Sequence, residues 1–356
     1  MINQKSHLGV IIKLLKNFMQ EFKFIFFWFI YNRFLFQAAP KVFNVNKAVS
    51  KNVLAVTSFL VLIGIALSSE WFYPFVGRFI LSLVFLLSIL NLLPLIANAQ
   101  LDRQLSIGIP VLISLSALAI SPILDLSLPI AVVPILWCVI AGAILGASQQ
   151  FVAGFFGGQK ISSIPGLFFS MFFTCSCILL IAAYLNQKNT GNVLWSLSYV
   201  FCKISILIYI YSSKSWKVFL NPFKTGLSFA IASGTIWALV GCYLLSKGIL
   251  WLDLTIHAWA LGWGLPLIMA VSLQIIGHLS GLTLIKEKYL LLMLIVWQIV
   301  PIFRSLYHQV PSYMTWVAGV ITFLVLFIWA IALLKGIITI WLRQFQIKAN
   351  EKVLQC

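Results

Sequence analysis

Residues 75–98 read FVGRFILSLVFLLSILNLLPLIAN, a stretch in which Arg78 is the single charged residue. As a helix rising ~1.5 Å per residue, such a run crosses a hydrocarbon core of ~30 Å with length to spare. Working outward in both directions, similar runs recur at 53–69, 105–121, 127–147, 164–185, 193–212, 225–246, 254–277, 289–307 and 313–340. The connections between them are short, so no soluble domain is inserted. The expected fold is all-α, a polytopic transmembrane helix bundle of about ten spanning helices.

Composition agrees. Of 356 residues, 62% are hydrophobic and 9% charged, where soluble domains have about 45–50% and about 25%. The mean hydropathy is +1.05. Soluble enzymes, disordered tails and secreted disulfide scaffolds are excluded. Cys138, Cys175, Cys177, Cys202 and Cys242 fall inside apolar runs and Cys356 ends the chain; such thiols behave as small hydrophobes.

Lys and Arg number 24 against 7 Asp and Glu, a formal net charge of +17. The basic residues sit mostly between the apolar runs, where they set topology. No basic aromatic platform or groove-reading helix lies outside those runs, so nucleic acid is not an expected partner.

Three regions follow: 1–52, 53–340 and a basic tail, 341–356. In the first, Lys13, Asn17, Gln20 and Lys23 recur at three- and four-residue steps opposite Ile11, Leu14, Leu15, Phe18 and Phe22. That pattern predicts an amphipathic helix lying on anionic lipid headgroups. It is not a cleavable signal peptide, because Lys13 and Lys16 interrupt any apolar core. The aromatic run Phe24–Phe36 contains Arg33 and reads as interfacial or re-entrant.

With the N-terminus in the cytoplasm, the cytoplasmic side collects Arg103, Lys160, Lys214, Lys217, Lys224, Lys286, Lys288, Arg343, Lys348 and Lys352. The opposite side holds only Arg78, Lys188, Lys247 and Arg304. Both termini are expected inside.

Ionisable residues at membrane depth are costly and are functional candidates by default. His257 and His278 bracket one helix, 21 residues apart. On a uniform α-helix they differ by about 60° in azimuth and share a face with Gly264, Ile268, Val271 and Ile275. Their ~31 Å axial separation forbids one metal ion from holding both, since metal–nitrogen bonds are ~2 Å. If both are ligands, they serve two centres. The next run returns and ends in Arg304 and His308, bringing both to the face of His257. A bis-imidazole haem site or a copper site is compatible with that placement, and the fork of Arg304 suits a haem propionate. The bland alternatives are a helix-end histidine touching water or capping carbonyls, and an arginine that snorkels.

Lys203 lies mid-run beside Cys202, while no run holds an acid near its centre. It is read as snorkelling, pairing with a carbonyl or meeting a propionate. Met171 with Cys175 and Cys177 suggests soft Cu(I) ligation, but residues two apart on a helix point ~200° from each other. Both thiols could serve one metal only if the helix unwound. No phosphate-binding loop, nucleophile elbow, zinc spacing or dinucleotide fingerprint is present.

The stretch from His257-Ala258-Trp259 with Gly262 to Gly277-His278-Leu279-Ser280-Gly281, followed by a helix ending in Arg304, resembles the C-terminal half of the NnrS family. Trp329 in the last helix fits the same pattern. The family's closing motif is Gly-His-Thr-Gly-Arg; here Leu279, Ser280 and Leu282 depart from it, and the family's N-terminal His-Glu-Met motif is absent. The resemblance covers about 100 residues, mainly 250–345. It implies a divergent member of a group of bacterial inner-membrane proteins that contain haem and copper and respond to nitric oxide. His257 and His278 would then bind haem or metal, supported by His308 and Arg304, in nitrosative-stress response or respiratory haem and metal handling. Ligation needs no general acid–base pair, so turnover is not implied.

Two other classes stand beside this reading. One is a small-molecule permease with a site at Lys203, Gln274 and the helix broken at Pro266. The other is a scaffold subunit packing against a membrane-protein partner. The missing central acids argue against ion coupling, and the histidine-bracketed helix argues for ligation.

Overall fold

The computed structural model describes residues 43, 50–68, 74–122, 129–147, 159–186, 191–305 and 312–353, and every regular element among them is helical. In chain order these are α1 (Lys51–Ser68), α2 (Pro74–Ala97), α3 (Leu101–Ile120), α4 (residues 129–147), α5 (Ser163–Leu185) and α6 (Gly191–Ser212). There follow α7 (Gly226–Ser246), α8 (residues 252–280), α9 (Glu287–Trp297), α10 (Ile299–Ser305) and α11 (Ser312–Val353). The predicted amphipathic helix around Lys13–Lys23, the run Phe24–Phe36 and His308 lie outside the described residues.

Among the described residues, seven helices are long and apolar enough to cross a membrane: α2, α3, α5, α6, α7, α8 and α11. The apolar stretches of α1 and α4, Ala55–Ser68 and Ile130–Gly146, fall below that length, although α1 and α4 occupy the described residues of the predicted runs 53–69 and 127–147 throughout. One predicted run differs. The run 289–307 is divided at Gln298. Pro301 has no N–H to donate to the carbonyl of Trp297, which ends α9 there. At the other extreme, α11 continues past residue 340 to Val353. Nothing between Trp341 and Val353 is Gly or Pro, and most of it is good helix former.

The outward faces are apolar. Phe79, Leu86, Leu90, Phe323, Phe327 and Ile331 are all exposed, and only 22% of the apolar stretch of α11 is buried. Contiguous apolar surface of this kind is stable against lipid and unstable against water.

The chain divides into two compact units, residues 1–151 with 160–177 and residues 152–159 with 178–356. In the first, α1 and α2 meet backbone to backbone. A Cβ at Gly77 would lie 2.1 Å from Ser68 N and 2.5 Å from Gly64 O, so only glycine fits. Such small-residue contacts are the usual means of close helix packing where lipid removes the hydrophobic drive. Among the described residues of this unit, π-helical segments interrupt α3 at Gln104–Gly108 and α4 at Trp137–Ala141. The wider i→i+5 turn disturbs the regular ladder, and each segment has a carbonyl that accepts a side-chain hydrogen bond from another helix. Ser170 Oγ donates to Leu105 O, and Ser114 Oγ donates to Val139 O at 2.9 Å. Trp137, fully buried, donates through Nε1 to Ser176 Oγ at 2.7 Å.

The second unit is built around α7 and α8, interlocked by tryptophan on glycine. A Cβ at Gly241 would lie 2.3 Å from Trp259 Nε1, one at Gly234 3.1 Å from Trp263 Cδ1, and one at Gly262 2.3 Å from Trp237 Cγ. Each indole occupies the space that a missing side chain leaves. The start of α7 is capped by Thr225, whose hydroxyl accepts from Ser228 N at 3.0 Å, and by Glu287, whose Oε1 accepts from Gly226 N. A carboxylate at a helix N-terminus also meets the positive end of the helix dipole.

Candidate functional site

The site is carried by α8, and α8 is not uniform. Leu252–His257 is α-helical, Ala258–Gly264 is π-helical, and Leu265–Ser280 is α-helical again. Inside the π segment each residue advances less than 100° about the axis. The shared azimuth predicted for His257 and His278 from a uniform helix therefore does not hold. Gly264, Ile268, Val271, Ile275 and His278 keep their common stripe, and His257 is rotated out of it. The π segment is held from both sides: Trp259 Nε1 donates to Ala238 O at 3.1 Å, and Trp297 Nε1 donates to Leu261 O at 2.8 Å.

At the N-terminal end of α8 the structure brings His257 and Arg304 together. Arg304 Nε donates to His257 Nε2 at 2.9 Å. A guanidinium N–H has no acceptor capacity, so Nε2 is the acceptor and the ring proton is on Nδ1. Nδ1 in turn lies 2.7 Å from the backbone carbonyl of Asp253, one turn back, and donates to it. The Asp253 carboxylate is more distant, Oδ2 being 3.6 Å from Nδ1. The imidazole is thus neutral in this arrangement, fixed in one tautomer, with its side chain 16% exposed. Beside the pair lies a cavity of about 210 Å³ lined by Leu261, Val300, Arg304, Ala318, Gly319 and Thr322.

At the C-terminal end, Gly281 takes a left-handed conformation with φ of 63°, and Leu282 N donates to Gly277 O at 3.1 Å, closing the helix. His278 is exposed in the last turn. Where the resembled motif has an arginine this chain has Leu282, but Arg343 of α11 reaches the same corner: a Cβ at Gly281 would lie 2.9 Å from its Nη1. Each end of α8 therefore has a histidine in its terminal turn and an arginine supplied by a later helix.

His257 and His278 stand at opposite ends of α8, so they cannot share a centre. Among the described residues no three His, Cys, Asp or Glu side chains converge as a metal-binding group. Cys175 and Cys177 lie in the regular helix α5, which does not unwind there, and Cys177 is buried while Cys175 is half-buried. Their thiols point to different faces. Lys203 is exposed on α6, with Nζ 5.9 Å from the centre of the Tyr199 ring. Gln274 of α8 keeps a buried Oε1 with no hydrogen-bond partner among the described residues.

The donor chemistry at His257 suits a haem. A ligating histidine almost always gives its second ring N–H to a carbonyl or carboxylate, which fixes Nε2 as the donor atom. His257 has that second bond in place. The volume suits a large ligand less: about 210 Å³ is below the ~300–1,000 Å³ of most small-molecule pockets and matches only part of a macrocycle. A copper ion at the same nitrogen would need donors from outside the described residues, where His308 is the candidate that the sequence offers.

The sequence reading did not identify Asp253, whose carbonyl selects the tautomer, or Arg343. The first follows from the i−4 spacing to His257, a signal available in the sequence. The second depends on how α11 crosses the end of α8, which no local pattern encodes. Compared with models of known protein families, with curated protein sequences and with solved structures, the chain matches none.

Proposed function

We propose that this chain is a multi-pass protein of the bacterial inner membrane, divergently related to the NnrS proteins, that binds haem through His257 with Arg304 as the propionate partner. It would act in the response to nitric oxide or in respiratory haem and metal handling. His278 with Arg343 would form a second, separate centre at the other end of α8, and copper is the alternative occupant of either histidine. In this reading about ten segments span, both termini are cytoplasmic, and the N-terminal basic segment rests on anionic lipid headgroups.

The observation that supports the reading is the state of His257: neutral, its Nδ1–H held by the Asp253 carbonyl, its Nε2 lone pair directed at an arginine. Asp253 orients the ring and needs no movement when Nε2 changes partner. Arg304 masks that nitrogen and, once displaced, places a bidentate cation where a carboxylate can reach it. Bound haem iron supplies a coordination position for small diatomic molecules such as nitric oxide.

The test is the haem and copper content per chain of protein purified from haem-replete cells, for the wild type and for His257→Ala, His278→Ala and the double variant. The proposal expects haem in the wild type, lost with His257→Ala. A wild-type protein with neither haem nor copper contradicts it.

A further inference from the structure

Lys203 is the feature that the haem reading leaves unused. It lies in α6, 12 residues after Gly191 and nine before Ser212, so its Cα is ~18 Å and ~14 Å from the two ends. A lysine at such depth usually extends its stem toward the nearer interface. This one does the opposite: Nζ sits over the ring of Tyr199, one turn toward the farther end, which holds the ammonium near the middle of the span. Helical side chains lean toward the N-terminus of their helix, which accounts for the direction.

The face around it is apolar and outward. Val193, Leu197, Val200, Leu207 and Tyr211 are all exposed on the same side of α6 as Lys203. Among the described residues no carboxylate forms an ion pair with it. Among the described residues, Asp102, Asp253 and Glu287 stand in the first turns of their helices and Glu351 in the last turn of α11, so none of these reaches that depth, in this chain or in a second copy.

We infer that the Val193–Tyr211 face of α6 is a docking surface for a transmembrane helix of a different protein that carries one Asp or Glu near the middle of its span. The charge complementarity is specific: a cation at mid-span on an apolar stripe recognises a carboxylate at the same depth, with apolar side chains packing above and below. The inference stands independently of any cofactor at His257.

The experiment uses the full-length protein in zwitterionic vesicles with a fluorescent donor on α6. Acceptor-labelled leucine-rich single-span peptides carry Asp or Leu at the centre. Energy transfer to the Asp peptide, absent with the Leu peptide, reduced at least tenfold by Lys203→Met and retained by Lys203→Arg, is the expected result. Unchanged elution of Lys203→Met in gel filtration checks that the variant is folded. Equal binding of the Asp peptide to wild type and Lys203→Met, or no binding to either, overturns the inference. A Lys203-dependent self-association without peptide overturns it in favour of a second copy. Displacement of the Asp peptide by phosphatidylglycerol overturns it in favour of a lipid headgroup.

Discussion

The hydrogen bond from Arg304 Nε to His257 Nε2 has a consequence for both residues. It fixes the tautomer of one and the orientation of the other, so a change in either is readable in its partner. In the wild type, nitrogen-15 NMR of histidine-labelled protein lacking haem should show His257 as a single Nδ1–H tautomer. Arg304→Ala removes the donor to Nε2 and should shift the Nε2 resonance while the Asp253 carbonyl keeps the proton on Nδ1, whereas an unchanged spectrum contradicts the pairing. The meeting of His257 and Arg304 was legible in the sequence. Two consecutive runs of opposite direction bring the start of one beside the end of the next, and both residues sit at the matching ends. The roles of the two ring nitrogens were not legible, because they depend on which backbone carbonyl lies within reach. For Lys203 the sequence left snorkelling, a carbonyl partner and a propionate open; its side chain leans toward Tyr199, since the helix directs side chains N-terminally whichever interface is nearer. A charge at the centre of a span costs about 2.5–3.5 kcal/mol on insertion scales, a cost that a carboxylate at the same depth would offset.

The helices owe their spacing to glycines that face indoles. Gly241→Ala and Gly262→Ala would drive a methyl to 2.3 Å from the rings of Trp259 and Trp237. Overpacking of this kind costs about 1–3 kcal/mol, so each variant should unfold at a lower temperature in differential scanning fluorimetry. Gly319→Ala is the internal control. A Cβ there meets nothing within 4 Å, and alanine in a helix is favoured over glycine by about 0.5–1 kcal/mol, so its midpoint should hold or rise. Trp297→Phe keeps an aromatic ring, smaller than the buried indole, and leaves the Leu261 carbonyl of the π segment without its donor. An orphaned buried acceptor costs about 1–3 kcal/mol, and a midpoint equal to wild type would contradict the role given to that bond. Existence of the helices was legible from run length and apolarity. The π segment was not: Ala258–Gly264 has no local signature separating it from α-helix. What holds it is Trp297, 36 residues away, and the space left by Gly241 and Gly234 on α7. The break at Gln298 had its cause in plain view at Pro301, yet apolarity alone carried the predicted run across it.

For the whole chain, composition settled the class before any motif did: 9% charged residues cannot cover a folded surface in water. The described helices agree, with apolar side chains outward and buried tryptophans, serines and glycines within. The number of spans is less legible, because apolarity does not report where proline divides a run. Reporter fusions at each terminus should place both on the cytoplasmic side, and a fusion after Arg304 on the opposite side; termini on different sides would contradict the proposed topology of about ten spans. The surroundings of the ends of α8 follow from how later helices return to it, which is why Arg304 could be placed near His257 from sequence and Arg343 could not be placed near Gly281. The most direct measurement for the proposed function is the optical spectrum of the purified protein, oxidised and then reduced with dithionite, beside that of His257→Ala. A Soret band in the wild type that the substitution abolishes is the expected result, while a colourless wild type, or a band that survives His257→Ala unchanged, contradicts haem ligation by His257.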